Sequence, residues 1–216
     1  FGGYADFVIV PADFVWAVPP ALSYNEAAAI PVNYLTSVIA LYRMANVKAG
    51  ERVLVHGAGG GVGIAAMQLS RLRRASVVGT ASSSKHGALR SLGIDHVIDY
   101  RTSDVEAEVA RITNGRGVDV VLDPIGGDNL LKSYRMLAPM GRLVALGVQD
   151  MVGGQHRNVV RTLHSLWQMP RFNPLDLMND NKGVFGLNLA HLFTERKLMA
   201  GSMEALLTDF SGGRLK

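Results

Sequence analysis

The amino-acid sequence predicts an α/β fold in which a doubly wound parallel sheet of six strands carries helices on both faces. Short apolar runs alternate with helical patterns from residue 50 onward. These runs lack polar alternation, as expected for strands that are buried on both faces. A glycine-rich turn joins the first run directly to the first helical pattern. Strands and helices that alternate in this way form right-handed crossovers, and the strands therefore lie parallel.

The first three predicted strands are each followed by a helix. The strands are 52–57, 76–81 and 96–100, and the helices after them are 62–74, 84–93 and 104–115. Gly93 is the expected C-cap of the second helix, because glycine adopts a left-handed backbone without steric cost. The third helix is amphipathic and has Asp104 at its start.

The second half of the chain continues the alternation. The predicted elements are strand 118–123, helix 128–141, strand 142–147, helix 158–169, strand 183–188 and helix 194–213, in that order. The last helix ends in a glycine-rich stop. The fold prediction rests on the whole alternation and not on one motif.

Composition limits the classes of protein to which the chain can belong. Its 216 residues are 48% hydrophobic and 19% charged, which is typical of one globular domain or of one domain with an appendage. A formal net charge of +4 suits a small anionic ligand and is too weak to predict binding to nucleic acid. The sequence has no cysteine, which excludes disulfides within it and agrees with a cytoplasmic location. We expect no membrane span, since the most apolar stretch, 27–42, is interrupted by Pro31 and Asn33.

The turn after the first strand reads HGAGGGVG, and five of these eight residues are glycine. In this position a glycine turn holds the pyrophosphate of a dinucleotide. Gly60 and Gly61 would let backbone N–H groups approach phosphate oxygens, and Gly63 would let the helix pack closely on the sheet. The positive end of the helix dipole would face the phosphates. The alternative is an empty strand-to-helix turn.

The end of the second strand indicates which dinucleotide binds. A site that prefers NAD usually has Asp or Glu there to hold the ribose 2′-hydroxyl. This chain instead has Ser83, Ser84 and Lys85, which supply hydroxyl groups and a cation suited to a 2′-phosphate. The sequence therefore predicts NADPH as the cofactor. The alternative is that one serine caps the helix and that the lysine is merely exposed.

Four longer segments carry a family resemblance. They are VLVHGAGGGVGIAAMQLSRL, VVGTASSSKHGALRSLGIDHVIDYR, GVDVVLDPIGG and GRLVALG. Together they resemble the medium-chain dehydrogenase/reductase superfamily, and within it the zinc-independent quinone oxidoreductases of the branch that contains zeta-crystallin and the vesicle amine transport protein homologues. The resemblance implies that residues 1–21 are the remnant of a β-rich upstream catalytic domain. Residues 22–216 would then be an NADP-binding Rossmann domain with an N-terminal junction helix, and this portion alone would be inactive.

The resemblance also implies where the cofactor is held. By position, the resemblance implies that the nicotinamide lies near Thr36, Phe185 and Leu187 and that its ribose lies near Leu146, Gly147 and Val148. The pyrophosphate would then lie along Gly60, Gly61 and Val62. The 2′-phosphate would lie at Ser83 or Ser84 with Lys85, and the adenosine end at Tyr100. For three of these residues a plain structural role is an equal alternative. Phe185 and Leu187 would be core residues of any sheet, and Tyr100 would be an ordinary strand-end aromatic.

We expect no metal. The position that carries a cysteine ligand in zinc-dependent relatives, four residues before Thr36, is Val32, which cannot bind a metal. The six histidines show no ligand spacing, and we interpret His56 as a strand-end residue. Asp123, at the end of the fourth strand, is expected to cap or shape the turn that follows, with contact to the cofactor as a secondary role.

The reaction implied by the resemblance is hydride transfer from NADPH to a quinone or an α,β-unsaturated carbonyl. The cofactor carries this chemistry, and the protein supplies orientation and an apolar pocket, so no catalytic residue is named. Two alternatives stay open: an enoyl reductase module of a fatty-acid or polyketide synthase, and a non-enzymatic NADPH-binding relative. The expected partners are a small-molecule electron acceptor and a second copy of the chain, with dimer contacts through the sheet edge at 183–188.

Overall fold

The computed structural model describes residues 5–147 and 170–216. The predicted helix 158–169 and the predicted site residue Val148 lie outside the described residues.

Six parallel strands form one sheet. They are β1 (Arg52–Val55), β2 (Ser76–Thr80), β3 (His96–Ile98), β4 (Val118–Asp123), β5 (Leu137–Ala145) and β6 (Gly183–Gly186). Their spatial order is β3-β2-β1-β4-β5-β6, and each neighbouring pair is parallel. The strand order reverses between β1 and β4, and doubly wound folds bind ligands in the crevice at such a point. The predicted fold class is confirmed.

Helices precede the sheet and connect its strands. The α-helices are α1 (Tyr24–Ala29), α2 (Leu35–Val38), α3 (Gly61–Leu72), α4 (His86–Ser91), α5 (Val105–Thr113), α6 (Asn129–Arg135), α7 (Pro174–Asp180) and α8 (Arg196–Ser211). The π-helical segments Ile30–Tyr34 and Ile39–Met44 directly follow α1 and α2, so that one continuous junction helix runs from Tyr24 to Met44. Pro31 lacks an N–H group and cannot complete the regular helical ladder, which accounts for the first π-helical segment.

Alternate strand residues pack on opposite faces of the sheet. Val53 and Val55 belong to the core under α3, α8 and the junction helix, whereas Leu54 belongs to the core under α5 and α6. Both cores are mostly apolar at the strands, because each of these parallel strands is covered on its two sides. Helices therefore lie on both faces, as predicted.

The largest error in the predicted boundaries lies between α6 and β5. The sequence predicted a helix at 128–141 and a strand from 142, but α6 ends at Arg135 and β5 begins at Leu137. Pro139 disfavours a helical backbone at the residue before it and has no N–H group to donate. Leu137 instead pairs with Val118, and the register shifts before Arg142 pairs with Val120. Apolar residues spaced like those of a helix concealed this strand start.

Arg142 fastens the junction helix to the sheet. From β5 its Nε and Nη2 atoms donate to the carbonyl oxygen of Ala45, at 2.8 and 2.6 Å. Its Nη1 atom lies 2.8 Å from Oε1 of Glu51 in a largely buried ion pair. Because Ala45 is the C-cap of the junction helix, this contact ties the end of that helix to β5.

Residues 5–22 carry one short 3₁₀ turn, Ala12–Phe14, and no strand. The Phe14 ring packs edge-on against Trp16 and Phe193, which joins this segment to the residues before α8. The N-terminal segment therefore packs on the body of the domain without extending its sheet.

Candidate cofactor-binding site

A cavity of about 550 Å³ opens where β1 and β4 end, at the reversal of strand order. The glycine turn, the junction helix and the turn after β5 form its walls. The predicted site residues that line it are Thr36, Gly60, Gly61, Val62, Lys85, Leu146 and Gly147. Residues separated by more than 100 positions in the sequence are thus brought to one place.

The glycine turn presents the start of α3 to this cavity. Gly60 is the N-cap of α3 and has an extended backbone, with φ −95° and ψ 170°. The first N–H groups of a helix have no partner within it, and here no side chain caps them. Free N–H groups at the positive end of a helix form a ready site for phosphate.

Two glycines of the turn lie in close contact with neighbouring residues, Gly63 with backbone atoms and Gly61 with a side chain. A Cβ atom on Gly63 would lie 2.5 Å from the carbonyl oxygen of Gly57 and 2.6 Å from the Cα atom of Ala58. A Cβ atom on Gly61 would lie 2.5–2.6 Å from the side-chain amide of Asn33. The packing role predicted for Gly63 is confirmed. Asn33, which lines the cavity from the junction helix, was not singled out in the sequence.

Lys85 reaches the cavity across the glycine turn. It lies on the 3₁₀ turn Ser83–Lys85 after β2, and its Nζ atom donates to the carbonyl oxygen of Gly59 at 3.0 Å. A Cβ atom on Gly59 would overlap the Lys85 side chain. Gly59 therefore allows a cation to lie over the turn that would hold the pyrophosphate.

The two predicted serines are exposed and line neither of the cavities described here. The Ser83 N–H group donates to Oδ2 of Asp99 at 3.0 Å, and the Arg101 N–H group donates to Oδ1 of Asp99 at 3.0 Å. These hydrogen bonds, the one from Arg101 first, hold the pKa of Asp99 below its usual range despite the opposing effect of desolvation. This carboxylate was not predicted to lie near the site, because it follows β3, 16 residues from Ser83 in the sequence.

A second cavity, of about 680 Å³, shares His56, Gly57 and Pro124 with the first. Tyr100 lines this second cavity and is half-exposed. Its predicted place at the adenosine end stays a prediction. Both cavities open near the ends of β1 and β4, where these three residues lie, and we refer to the two cavities together as the cleft.

Phe185 lies on β6, the edge strand of the sheet, and Leu187 directly follows that strand. Phe185, on β6, is 38% exposed, and Leu187 is buried in the core under the junction helix. Neither lines the two cavities described here, and their predicted contact with nicotinamide stays a prediction.

Asp123 shapes the turn after β4, as expected from its position. Its Oδ1 atom accepts the N–H groups of Ile125 and Gly126 at 2.8 and 3.1 Å. His56 follows β1 and is 3% exposed. Burial lowers the pKa of His56, and the charge of Asp123 opposes this shift less strongly, so the imidazole is neutral.

Comparison with known proteins places the chain in a family. A family model described as zinc-binding dehydrogenase matches residues 61–203. The human synaptic vesicle membrane protein VAT-1 homolog is 39% identical over 216 residues, which is 100% of this chain and 55% of that protein. A crystal structure of the CurK enoyl reductase has a TM-score of 0.79 at 31% identity and covers 96% of this chain and 57% of that one.

A polyketide synthase is also similar. The spectinabilin polyketide synthase system protein NorB of Streptomyces orinoci is 40% identical over 182 residues, which is 81% of this chain and 8% of that protein. The chain spans about half the length of the VAT-1 relatives that it matches. Among the described residues, no helix is long and apolar enough to cross a membrane.

The residues present do not fit the zinc in the description of the family model. The sequence has no cysteine, and within residues 5–147 and 170–216 no three or more His, Asp or Glu side chains gather where they could hold a metal. Val32, the expected ligand position, lines the cavity with an aliphatic side chain. A nicotinamide dinucleotide does fit, because the cleft combines free helix N–H groups, glycines without Cβ atoms and a lysine. The chain belongs to the medium-chain dehydrogenase/reductase superfamily, in its quinone oxidoreductase-like branch.

Proposed function

We propose that the chain is the cofactor-binding portion of an NADPH-dependent oxidoreductase that transfers hydride to a quinone or an α,β-unsaturated carbonyl. The observation that carries the proposal is the single cavity shared by the uncapped start of α3, by Lys85 and by Thr36. It combines the free N–H groups at the start of α3 and the Lys85 cation with an aliphatic lining. We further propose that residues 1–21 belong to a catalytic domain and residues 22–216 to the nucleotide-binding domain.

The wall near Thr36 is suited to hydride chemistry. Val32, Leu122 and Leu146 line it with aliphatic groups, which exclude water from the reacting ring. Apart from Lys85 and the buried His56, no titratable side chain of the described residues lines this cavity. The bound cofactor would supply the hydride, and the residues of the chain bind and orient it.

The preference for NADPH rests on charge. Lys85 is a cation beside the turn, and residues 79–87 contain no carboxylate. Asp99 comes close to Ser83, but both of its oxygens accept backbone N–H groups. We infer that Asp99 fixes the turn that carries Ser83 and Lys85.

An enoyl reductase module is the second candidate function. The likeness to the CurK enoyl reductase and to NorB favours it. In that case the acceptor would be an unsaturated acyl thioester and not a free quinone or enone. The two candidates share the cofactor and the hydride step and differ only in the acceptor.

Assays of the full-length protein with different electron acceptors distinguish these functions. Oxidation of NADPH is followed by its absorbance with a 1,4-quinone, a free enone and an enoyl thioester, each in turn. Turnover with the quinone or the enone supports the proposal, and turnover with the thioester alone supports the enoyl reductase. Binding of NADPH without oxidation by any acceptor would contradict an enzymatic function and favour a cofactor-binding protein.

A further inference from the structure

Four buried polar side chains form a series of hydrogen bonds at the wall of the cleft. His56 follows β1, Thr80 ends β2, Asp123 ends β4, and Ser133 lies on α6. Each of these side chains belongs to a residue that is at most 3% exposed. We call these four residues the His56 relay. It joins three strand ends and one helix at the point where the strand order reverses.

The contacts of Asp123 determine which atoms of the relay donate hydrogen bonds and which accept them. The two carboxylate oxygens accept the N–H groups of Ile125 and Gly126 and the side-chain amide of Asn129. The Ser133 Oγ atom lies 2.7 Å from Oδ2 of Asp123, so its single hydrogen is donated to the carboxylate. Ser133 Oγ then accepts from His56 Nε2 at 3.1 Å. The neutral imidazole must therefore carry its hydrogen on Nε2.

The other end of the relay is fixed by Gly57. Its N–H group donates to Thr80 Oγ1 at 3.2 Å. His56 Nδ1, which is bare in this tautomer, lies 3.3 Å from Thr80 Oγ1 and accepts the hydroxyl hydrogen. All donors thus point one way, from the Gly57 N–H group to the Asp123 carboxylate. Among the described residues, the buried side-chain atoms without a partner are Ser70 Oγ and Ser202 Oγ, neither of which belongs to the relay.

The relay connects the two turns that border the cleft. Gly57 begins the glycine turn, while Ile125 and Gly126 form the turn after β4. His56, Gly57 and Pro124 line both cavities. We propose that His56, as the neutral tautomer with hydrogen on Nε2, is a positioning residue that holds these two turns at the spacing that a dinucleotide requires. This inference rests on the proposed cofactor-binding function.

The first test reads the tautomer directly. Nitrogen-15 NMR of the histidine-labelled protein, assigned with His56→Gln, reports which ring nitrogen carries hydrogen at pH 7. We expect a protonated Nε2 and a bare Nδ1 for His56. An imidazole with hydrogen on Nδ1, or an imidazolium, would overturn the relay. This measurement needs no nucleotide.

The second test separates positioning from plain stability with a matched pair of buried threonines. Thr80 and Thr113 each accept a glycine N–H group through Oγ1, at 3.2 Å from Gly57 and 3.0 Å from Gly117. Thr113 lines neither cavity. Thr80→Val should raise the Kd for NADPH about five-fold, the effect of one hydrogen bond of ordinary strength. Thr113→Val should lower the melting temperature and leave the Kd unchanged.

Ser133→Ala provides a second variant that breaks the relay from α6. Ser133 lines neither cavity, so a rise in Kd there cannot come from a lost contact with the nucleotide. It should raise the Kd about as much as Thr80→Val does. Unchanged Kd values in both relay variants would overturn the positioning role while the proposed function stands. Failure of the unaltered protein to bind NADPH or NADH would instead refute the proposed function and the positioning role together, with the tautomer still decided by NMR.

Discussion

At the scale of single residues, the ammonium group of Lys85 lies over the glycine turn and donates to the carbonyl oxygen of Gly59 at 3.0 Å. A phosphate on the adenosine ribose would offer this cation a stronger, charge-assisted partner. Lys85→Ala should therefore weaken NADPH binding by about 1.5–3 kcal/mol and hardly change NADH binding. Calorimetric titration with both nucleotides measures the difference.

The control for this substitution is Lys197→Ala. Lys197 is exposed on α8 and lines neither cavity, so its loss changes the net charge equally without touching the cleft. It should leave both affinities unchanged. An equal loss of NADPH and NADH affinity in Lys85→Ala would mean that the lysine does not recognise the phosphate.

His56 links the stability of the protein to pH. Burial lowers its pKa in the folded state below the ordinary value of 6.5, and Asp123 is the charged group that opposes this shift. The unfolded chain therefore binds a proton near pH 6.5, whereas the folded chain does not bind one until the pH is lower. As a result, the free energy of unfolding falls as the pH drops below 6.5. Between pH 7.5 and 5.5 the loss from this residue should reach about 1 kcal/mol.

Urea unfolding at the two pH values measures this loss, with His56→Gln as the reference. The variant lacks the titrating group, so its unfolding free energy should fall less than that of the unaltered protein. Other carboxylates, Glu51 and Asp99 among them, have lowered pKa values and act at more acidic pH in both proteins. Identical losses in the two proteins would contradict a neutral buried imidazole.

Several site residues were predictable from the sequence because their roles depend on neighbours that are close in the sequence. Gly63 lies in the first turn of α3, and the spacing of the glycine motif alone implies its close packing. The reason for Gly59 was not predictable, since its partner Lys85 is 26 residues away. Asn33 and Asp99 were missed for the same cause: each meets the site only after another element has folded against it.

At the scale of elements, the glycines of two helices should respond oppositely to the same substitution. A Cβ atom on Gly63 of α3 would meet backbone atoms at 2.5–2.7 Å, whereas a Cβ atom on Gly201 of α8 would meet nothing within 4 Å. Gly63→Ala should cost about 1–3 kcal/mol of stability through overpacking and should weaken nucleotide binding. Gly201→Ala should gain about 0.5–1 kcal/mol through helix propensity.

Thermal and urea unfolding of both variants measures the two signs. A neutral Gly63→Ala would show that the start of α3 does not press against the glycine turn as the structure has it. A destabilising Gly201→Ala would mean that this face of α8 is covered in the protein.

The strands and helices were predictable where the apolar period was unambiguous. Each of the six strands appears at its predicted place, and β4 has the predicted bounds. The segment from Leu137 to Met140 was not predictable, because its apolar spacing continues that of α6. Backbone pairing with Val118, a contact between distant residues, decides that it forms a strand.

At the scale of the whole molecule, β6 is the last strand of the sheet, and its outer side carries no paired strand among the described residues. Phe185 on β6 is 38% exposed. We propose that this edge meets a second copy of the chain, since an unpaired strand edge is a template for further pairing. Sedimentation should show a dimer that Phe185→Glu weakens, and a monomer at all concentrations would contradict this edge contact.

Above all, we propose that the cleft at the strand ends recognises a phosphorylated dinucleotide through free N–H groups and Lys85. The most direct measurement is isothermal titration of the chain with NADPH and, separately, with NADH at the same salt concentration. The claim predicts that NADPH binds at least about ten-fold more tightly, the effect of one charge-assisted contact. No binding of either nucleotide, or tighter binding of NADH, would contradict it.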